Sequence, residues 1–112
     1  MFIRMFVCAQ DTQQAVMICD KYFDQMLNIS NERKILKNEK YWKIDSIYLL
    51  EIVVDWDNKP QLREKLVNNI KMFPVKLTVY GEPIEEILVV KNDEIQDFNM
   101  NDLEMINVFF DE

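Results

Sequence analysis

The stretch WKIDSIYLLEIVVDW, residues 42–56, decides the fold class of this chain. Apolar side chains occupy every second position from Trp42 to Trp56, and only Ser46 interrupts the alternation. Because successive side chains of an extended chain point to opposite faces, the pattern predicts a long half-buried strand. The polar pair Asp45-Ser46 leaves a second interpretation open, namely two shorter strands hinged at that point.

Two helices are predicted on either side of this stretch. Asp11 with Gln14 forms an approximate capping box, and the first helix is expected to run to about Ile29. Side chains at helical spacing predict its buried face: Ala15, Ile18, Cys19, Tyr22, Met26 and Ile29. The second helix is expected to open at residues 57–60, with Asp57 or Asn58 as N-cap. Its predicted buried stripe comprises Leu62, Leu66, Ile70 and Phe73, and Pro74 ends it.

The remaining segments complete the predicted architecture. Strands are expected over residues 2–8, 75–80, 86–91 and 104–110, and the polar residues 30–40 are interpreted as a loop or ragged helix end. The order β-α-β-α-β-β-β predicts an α+β fold of two layers, with two helices on one face of a mainly antiparallel sheet. We expect residues 1–112 to form a single domain. If residues 41–56 fold as a hairpin, the first part becomes a split β-α-β, ferredoxin-like arrangement.

Composition limits the possible functions. The chain has no histidine and one glycine, so the commonest general base and the glycine-rich phosphate loops are missing. We therefore expect a binding protein rather than an enzyme, with no catalytic residue, metal or cofactor. No apolar run approaches the roughly 20 residues of a membrane helix, and no signal peptide is recognisable, which favours the cytoplasm. Cys8 and Cys19 are interpreted as reduced core residues, although a disulfide between them stays possible.

One alternative function is metal-dependent hydrolysis. Asp11 follows the first strand, and Asp55 and Asp57 close the stretch of residues 42–56. If those strands are parallel neighbours, the three carboxylates meet at one end of the sheet and hold Mg²⁺ for a hydrolase or nuclease. The simpler interpretation, which we favour, makes Asp11 and Asp57 helix caps and Asp55 a solvent-facing strand residue.

A basic cluster in the middle of the chain is the only feature that suggests nucleic acid. It consists of Arg33, Lys34, Lys37, Lys40 and Lys43, with Tyr41 and Trp42 beside it. The chain as a whole carries a net charge of −7, which repels nucleic acid and anionic membranes. We therefore interpret this cluster as a solvated loop and expect neither kind of partner.

The strongest functional signal is the negative charge of residues 82–112. This segment holds ten acidic residues and one basic residue, Lys91, whereas residues 1–81 hold ten acidic and twelve basic residues. Like charges held on a folded surface accelerate association with a partner of opposite sign. We expect a basic protein to bind Glu82, Glu85, Glu86, Asp93, Glu94, Asp97, Phe98, Asp102 and Glu104. Phe98 or Tyr80 is the candidate apolar anchor of that surface.

In its small size, acidity, α+β pattern and lack of catalytic motifs, the chain resembles the immunity proteins of bacterial toxin systems, including contact-dependent growth inhibition. The resemblance covers the character of the whole chain and rests on no single motif. It implies an antitoxin that binds a toxin nuclease domain, often basic, and inhibits it by occlusion and charge mimicry. A DNA mimic with another target is a variant of this idea. A regulatory or structural subunit that pairs sheet edges with its own copy is a third possibility, so we expect a monomer or a homodimer.

Overall fold

The computed structural model of the chain describes residues 1–57, 59–92 and 100–110. Within these residues, six strands and two helices follow one another in the order β1-α1-β2-β3-α2-β4-β5-β6. One turn of π-helix, Phe23–Leu27, continues the first helix. The bounds are Phe2–Cys8 (β1), Thr12–Tyr22 (α1), Arg33–Lys40 (β2), Ile47–Val54 (β3), Pro60–Ile70 (α2), Val75–Tyr80 (β4), Glu86–Lys91 (β5) and Leu103–Phe109 (β6).

The six strands form one sheet in the order β2-β3-β1-β6-β5-β4, and each is antiparallel to its neighbours. The predicted α+β class, with an antiparallel sheet, is therefore confirmed. Because β1 and β2 both pair with β3, the segment from β1 to β3 is a split β-α-β unit. The ferredoxin-like arrangement is not matched as a whole, since the three strands β4, β5 and β6 follow α2 where that fold has one.

Both helices cover the same face of the sheet. Ile3, Met5 and Val7 alternate along β1 and are fully buried, and the residues opposite them on β3 and β6 share that face. All six residues predicted for the buried face of the first helix are buried in the same core. Leu66 and Ile70 of α2 join this core as the predicted stripe requires, while Leu62 and Phe73 are half-buried.

Strand β2 replaces the loop expected over residues 30–40. The expectation was wrong because β2 is an edge strand that pairs on one side only. Backbone hydrogen bonds to β3, rather than an apolar pattern, hold it in the extended conformation. Ile35 alone lies half-buried against the core, and the register shifts between Ile35 and Lys37. A bulge and several lysines on an edge strand hinder pairing with a further strand.

The long strand predicted for residues 42–56 is shorter in the structure. Only Ile47–Val54 is extended, and residues 41–46 form the turn of the β2–β3 hairpin. The backbone N–H of Tyr41 donates to the carbonyl of Ile47, and Ser46 has a φ of 67°. Trp42, which the alternation placed on the buried side, is 82% exposed. The strand therefore begins only after Asp45-Ser46, the point at which the second interpretation of the sequence placed a hinge.

The helix starts differ in how well they follow the expected caps. Asp11 caps α1 as predicted, since its Oδ1 accepts a hydrogen bond from the Gln14 backbone N–H at 2.7 Å. The Gln14 side chain in turn accepts from the backbone N–H of Gln10 at 2.6 Å. At α2 the N-cap is Lys59, which makes no capping hydrogen bond with its side chain, so the prediction of Asp57 as the cap was wrong. Asn58, the other predicted cap, lies outside the described residues. Pro60 is the first residue of the helix, and its fixed φ already has the helical value.

Candidate functional site

The acidic segment divides between the two ends of the β5–β6 pair. Glu86 lies beside Phe109 at one end, and Val90 lies beside Met105 near the other. From Glu86 to Lys91 the strand extends about 17 Å, because antiparallel strands rise about 3.4 Å per residue. Glu82, Glu85 and Glu86 belong to the first end, and Asp102 and Glu104 belong to the second. The described acidic residues therefore form two groups rather than one surface.

We call Glu82, Glu85 and Glu86, with Tyr80, the acidic tip; it is the turn that joins β4 to β5. The backbone N–H of Glu85 donates to the backbone carbonyl of Tyr80 at 2.8 Å. The backbone carbonyl of Glu85 accepts from the N–H of Phe110 at 3.0 Å. Gly81 has a φ of +90°, where a Cβ would come within 2.8 Å of the Glu85 Cγ. The turn conformation therefore requires glycine at this position.

Helix α2 fixes the acidic tip from the other side. Arg63 Nη1 donates to the carbonyl of Ile84 at 2.5 Å, and the Arg63 guanidinium lies 5.3 Å from the centre of the Phe110 ring. Glu86 Oε2 accepts from Asn107 Nδ2 at 3.0 Å on the sheet. Glu82 and Glu85 remain exposed, and Tyr80 is 46% exposed. The tip thus presents two exposed carboxylates and an aromatic ring on a turn that is held by hydrogen bonds.

The second group of acidic residues binds within the molecule. Asp102 accepts from Lys21 Nζ at 2.5 Å and from the hydroxyl of Tyr22, both on α1. Glu104 forms an ion pair with Lys91 at 2.9 Å. These partners neutralise the charges of Asp102 and Glu104. Asp93, Glu94, Asp97 and Phe98 lie outside the described residues.

The three aspartates of the metal hypothesis do not converge. β1 and β3 are neighbours but antiparallel, so Cys8 pairs with Ile47 and Phe2 pairs with Val53. Asp11 therefore follows β1 at one end of the sheet, and Asp55 and Asp57 follow β3 at the other, about 24 Å of strand away. Among the described residues, no group of three or more Asp, Glu, Cys or His side chains is placed to hold a metal ion. The condition on which that alternative depended, parallel strands, is not met.

The two cysteines differ in environment, and both are free thiols. Cys8 is exposed at the end of β1, so its prediction as a core residue was wrong, whereas Cys19 is buried on the inner face of α1. Burial raises the pKa of the Cys19 thiol to about 12; Asp20 adds to the rise and Arg33 opposes it. Cys19 therefore stays protonated at neutral pH, which makes it a poor nucleophile.

We expect Cys19 to lower the stability of the fold at alkaline pH. Its pKa of about 12 in the folded chain exceeds the ordinary value of 9.0, so between these values the unfolded chain releases a proton that the folded chain retains. The free energy of unfolding must therefore fall as pH rises through that window. Urea unfolding at about pH 8 and about pH 10.5, on either side of the ordinary thiol pKa, measures this fall.

The Cys19→Ala variant is expected to lose less stability between those two pH values than the unsubstituted chain. Cys8→Ala is the matched control, since it removes the exposed thiol and leaves the buried one in place. The same pH dependence in all three proteins would contradict the assignment.

A surface that the sequence did not reveal lies on the side of the sheet away from the helices. We call it the open face. Its apolar side chains, half-buried or exposed, are Phe2, Phe6, Leu49, Val53, Leu88, Val90, Met105 and Phe109. The signal was present in β1, where FIRMFVC is apolar on both alternations except at Arg4. Such a strand is equally typical of a sheet that is covered on both faces, so only the positions of the helices identify the open face.

No protein-family model, curated protein or solved structure matches this chain. None of the described helices has the length and apolar character needed to cross a membrane. The acidic tip combines exposed charge, an exposed aromatic ring and a backbone held by hydrogen bonds.

Proposed function

We propose that this chain is an acidic binding protein, without catalytic activity, that neutralises a basic protein in the cytoplasm. In this proposal it is an immunity protein that blocks a cognate toxin nuclease domain by occlusion and charge mimicry. The observation that carries the proposal is the acidic tip, where Glu82 and Glu85 are exposed beside the half-exposed Tyr80.

The geometry of the tip suits binding to a basic surface. Carboxylates accept charge-assisted hydrogen bonds from Arg and Lys side chains, the groups with which a nuclease holds phosphates. The contacts of Arg63 with Ile84 and of Phe110 with Glu85 hold the turn before a partner arrives. A surface that is already ordered loses less conformational entropy on binding.

Tyr80 supplies the apolar element of the proposed contact. Interfaces draw most of their affinity from a few central side chains, often tyrosine, with charged residues at the rim. Under this proposal Tyr80 inserts into the partner, while Glu82 and Glu85 orient it and accelerate its approach. Asp102 and Glu104 are assigned to the fold instead, because Lys21 and Lys91 already engage them.

The proposal is tested first by capturing partners of the tagged protein from its native host at low and at high salt. A stoichiometric basic protein whose binding weakens as salt rises supports the proposal, since exposed charge pairs are screened by salt. Recovery of no protein at either salt, or of a protein whose binding is independent of salt, counts against it.

The captured partner then allows a sharper measurement. Removing two charges in the Glu82→Gln/Glu85→Gln variant is expected to lower the association rate constant roughly fivefold and to flatten its salt dependence. The matched control is Asp24→Asn/Asp45→Asn, which removes two exposed carboxylates elsewhere on the chain. If both variants slow association equally, net charge rather than the acidic tip is responsible.

A further inference from the structure

The open face carries charged side chains in a regular arrangement. Antiparallel pairing places directly opposite residues on the same face, so the register defines rows that cross the sheet. One row runs through Lys34, Val53, Phe2, Phe109 and Glu86. Another runs through Glu39, Leu49, Phe6, Met105, Val90 and Lys76. Both rows are apolar at their centres and have charges of opposite sign near their two ends, and the first continues past Glu86 to Tyr80. The row between them is polar at its centre and runs through Lys37, Glu51, Arg4, Asn107, Leu88 and Thr78.

The balance of charge on this face differs from that of the whole chain. By register, the described residues of the open face include four basic side chains (Arg4, Lys34, Lys37 and Lys76) and three acidic ones (Glu39, Glu51 and Glu86). The complete chain carries −7. Two copies therefore repel one another least where their open faces meet, whereas a strongly basic partner finds more opposite charge elsewhere.

We propose that the open face is the interface of a homodimer, with the two-fold axis parallel to the strands. This axis places β2 of one copy over β4 of the other, because the sheet order is reversed across it. Glu39 then lies opposite Lys76 of the second copy, and Lys34 lies near Glu86 of the second copy. Both contacts occur twice by symmetry, and Phe2 and Phe6 meet Phe109 and Met105 of the second copy between them.

The dimensions of the sheet suit such a contact. Six strands spaced about 4.8 Å apart and about 20 Å long offer a flat area of roughly 600 Å² on each copy. Two such faces exceed the total of about 1,000 Å² expected of a biological interface. Face-to-face packing of two sheets is a common way to bury such a surface.

Sedimentation of the full chain over a range of micromolar concentrations tests the proposal. We expect a reversible dimer that persists at high salt, because apolar contact dominates and salt screens the net repulsion. Val53→Glu should abolish it, since the new carboxylate lies opposite Glu86 of the second copy, and Val53 is 41% exposed in the monomer and tolerates a glutamate there. Glu39→Lys should weaken association roughly tenfold, and Glu39→Lys/Lys76→Glu should restore it.

Met17→Glu is the matched control, because Met17 is 71% exposed on α1, on the other side of the sheet. It is expected to leave the dimer intact. A wild-type chain that stays monomeric throughout overturns the proposal, as does a dimer that Val53→Glu leaves unchanged or Met17→Glu disrupts. Failure of the double variant to restore association overturns the strand-parallel axis. Because Tyr80 and Glu86 lie at the edge of the open face, Glu82→Gln/Glu85→Gln distinguishes the two proposals: it is expected to slow the binding of a basic partner and to leave the dimer unchanged.

Discussion

Replacing Phe23 by alanine is expected to lower the free energy of unfolding by about 4 kcal/mol, close to the largest effect that a single core truncation produces. Phe23 is fully buried in the π-helical turn after α1, where Met26 and Leu27 are also buried. Its ring lies 4.4 Å from the guanidinium of Arg33, which itself forms an ion pair with Asp20 at 2.5 Å. Truncation therefore leaves a cavity at the junction of the first helix with β2.

Thermal or urea unfolding of three variants checks this expectation. Phe23→Leu retains most of the side-chain volume and is expected to lose less than half as much stability as Phe23→Ala. Met17→Ala truncates an exposed side chain of the same helix and should change the free energy of unfolding by less than about 0.5 kcal/mol. Equal losses from Phe23→Ala and Met17→Ala would show that Phe23 does not occupy the core.

Replacing Asp102 by alanine is expected to destabilise the fold by about 2 kcal/mol. Asp102 joins the start of β6 to α1 through Lys21 and the hydroxyl of the buried Tyr22. Its side chain is about a quarter exposed, so solvent screens part of the charge interaction. Asp102→Asn should lose roughly half as much, because an amide oxygen still accepts the hydrogen bond from Tyr22.

Glu104→Ala provides the matched control for Asp102. Its ion pair with Lys91 is more exposed on both sides, and such pairs contribute less than about 1 kcal/mol. Chemical denaturation distinguishes the two residues directly. If Glu104→Ala destabilises the fold as much as Asp102→Ala, the bonds from Asp102 to Lys21 and Tyr22 do not contribute more to stability than an exposed ion pair.

These roles alter the interpretation of the acidic segment. The sequence predicts a single binding surface that contains eight of the ten carboxylates of the segment. In the structure Asp102 and Glu104 have basic partners within the chain, whereas Glu82 and Glu85 do not form any of the ion pairs found among the described residues. Lys21 lies 81 positions from Asp102, so no local pattern signals that contact. The functional proposal therefore rests on the tip rather than on the total charge.

The basic cluster shows the same effect. As a sequence it is typical of a solvated loop, and in the structure it is mostly the edge strand β2. Arg33 packs over Phe23 and pairs with Asp20, while Lys34 and Lys37 lie on the open face. These positions follow from the pairing of β2 with β3, and the composition of β2 does not determine the register of that pairing.

The sequence by itself determined the elements whose signals are local. Asp11 and Gln14 lie one helical turn apart and mark the start of α1, and the 3.6-residue spacing from Ala15 to Ile29 marks its buried side. The alternation through Leu50, Ile52 and Val54 likewise identified a strand and hence the α+β class. Tertiary structure alone decided the order of the strands, the partners of Asp102 and the separation of Asp11 from Asp55. Those features depend on pairing between distant segments, whose free energy belongs to the assembled sheet and its core rather than to any single stretch of the chain.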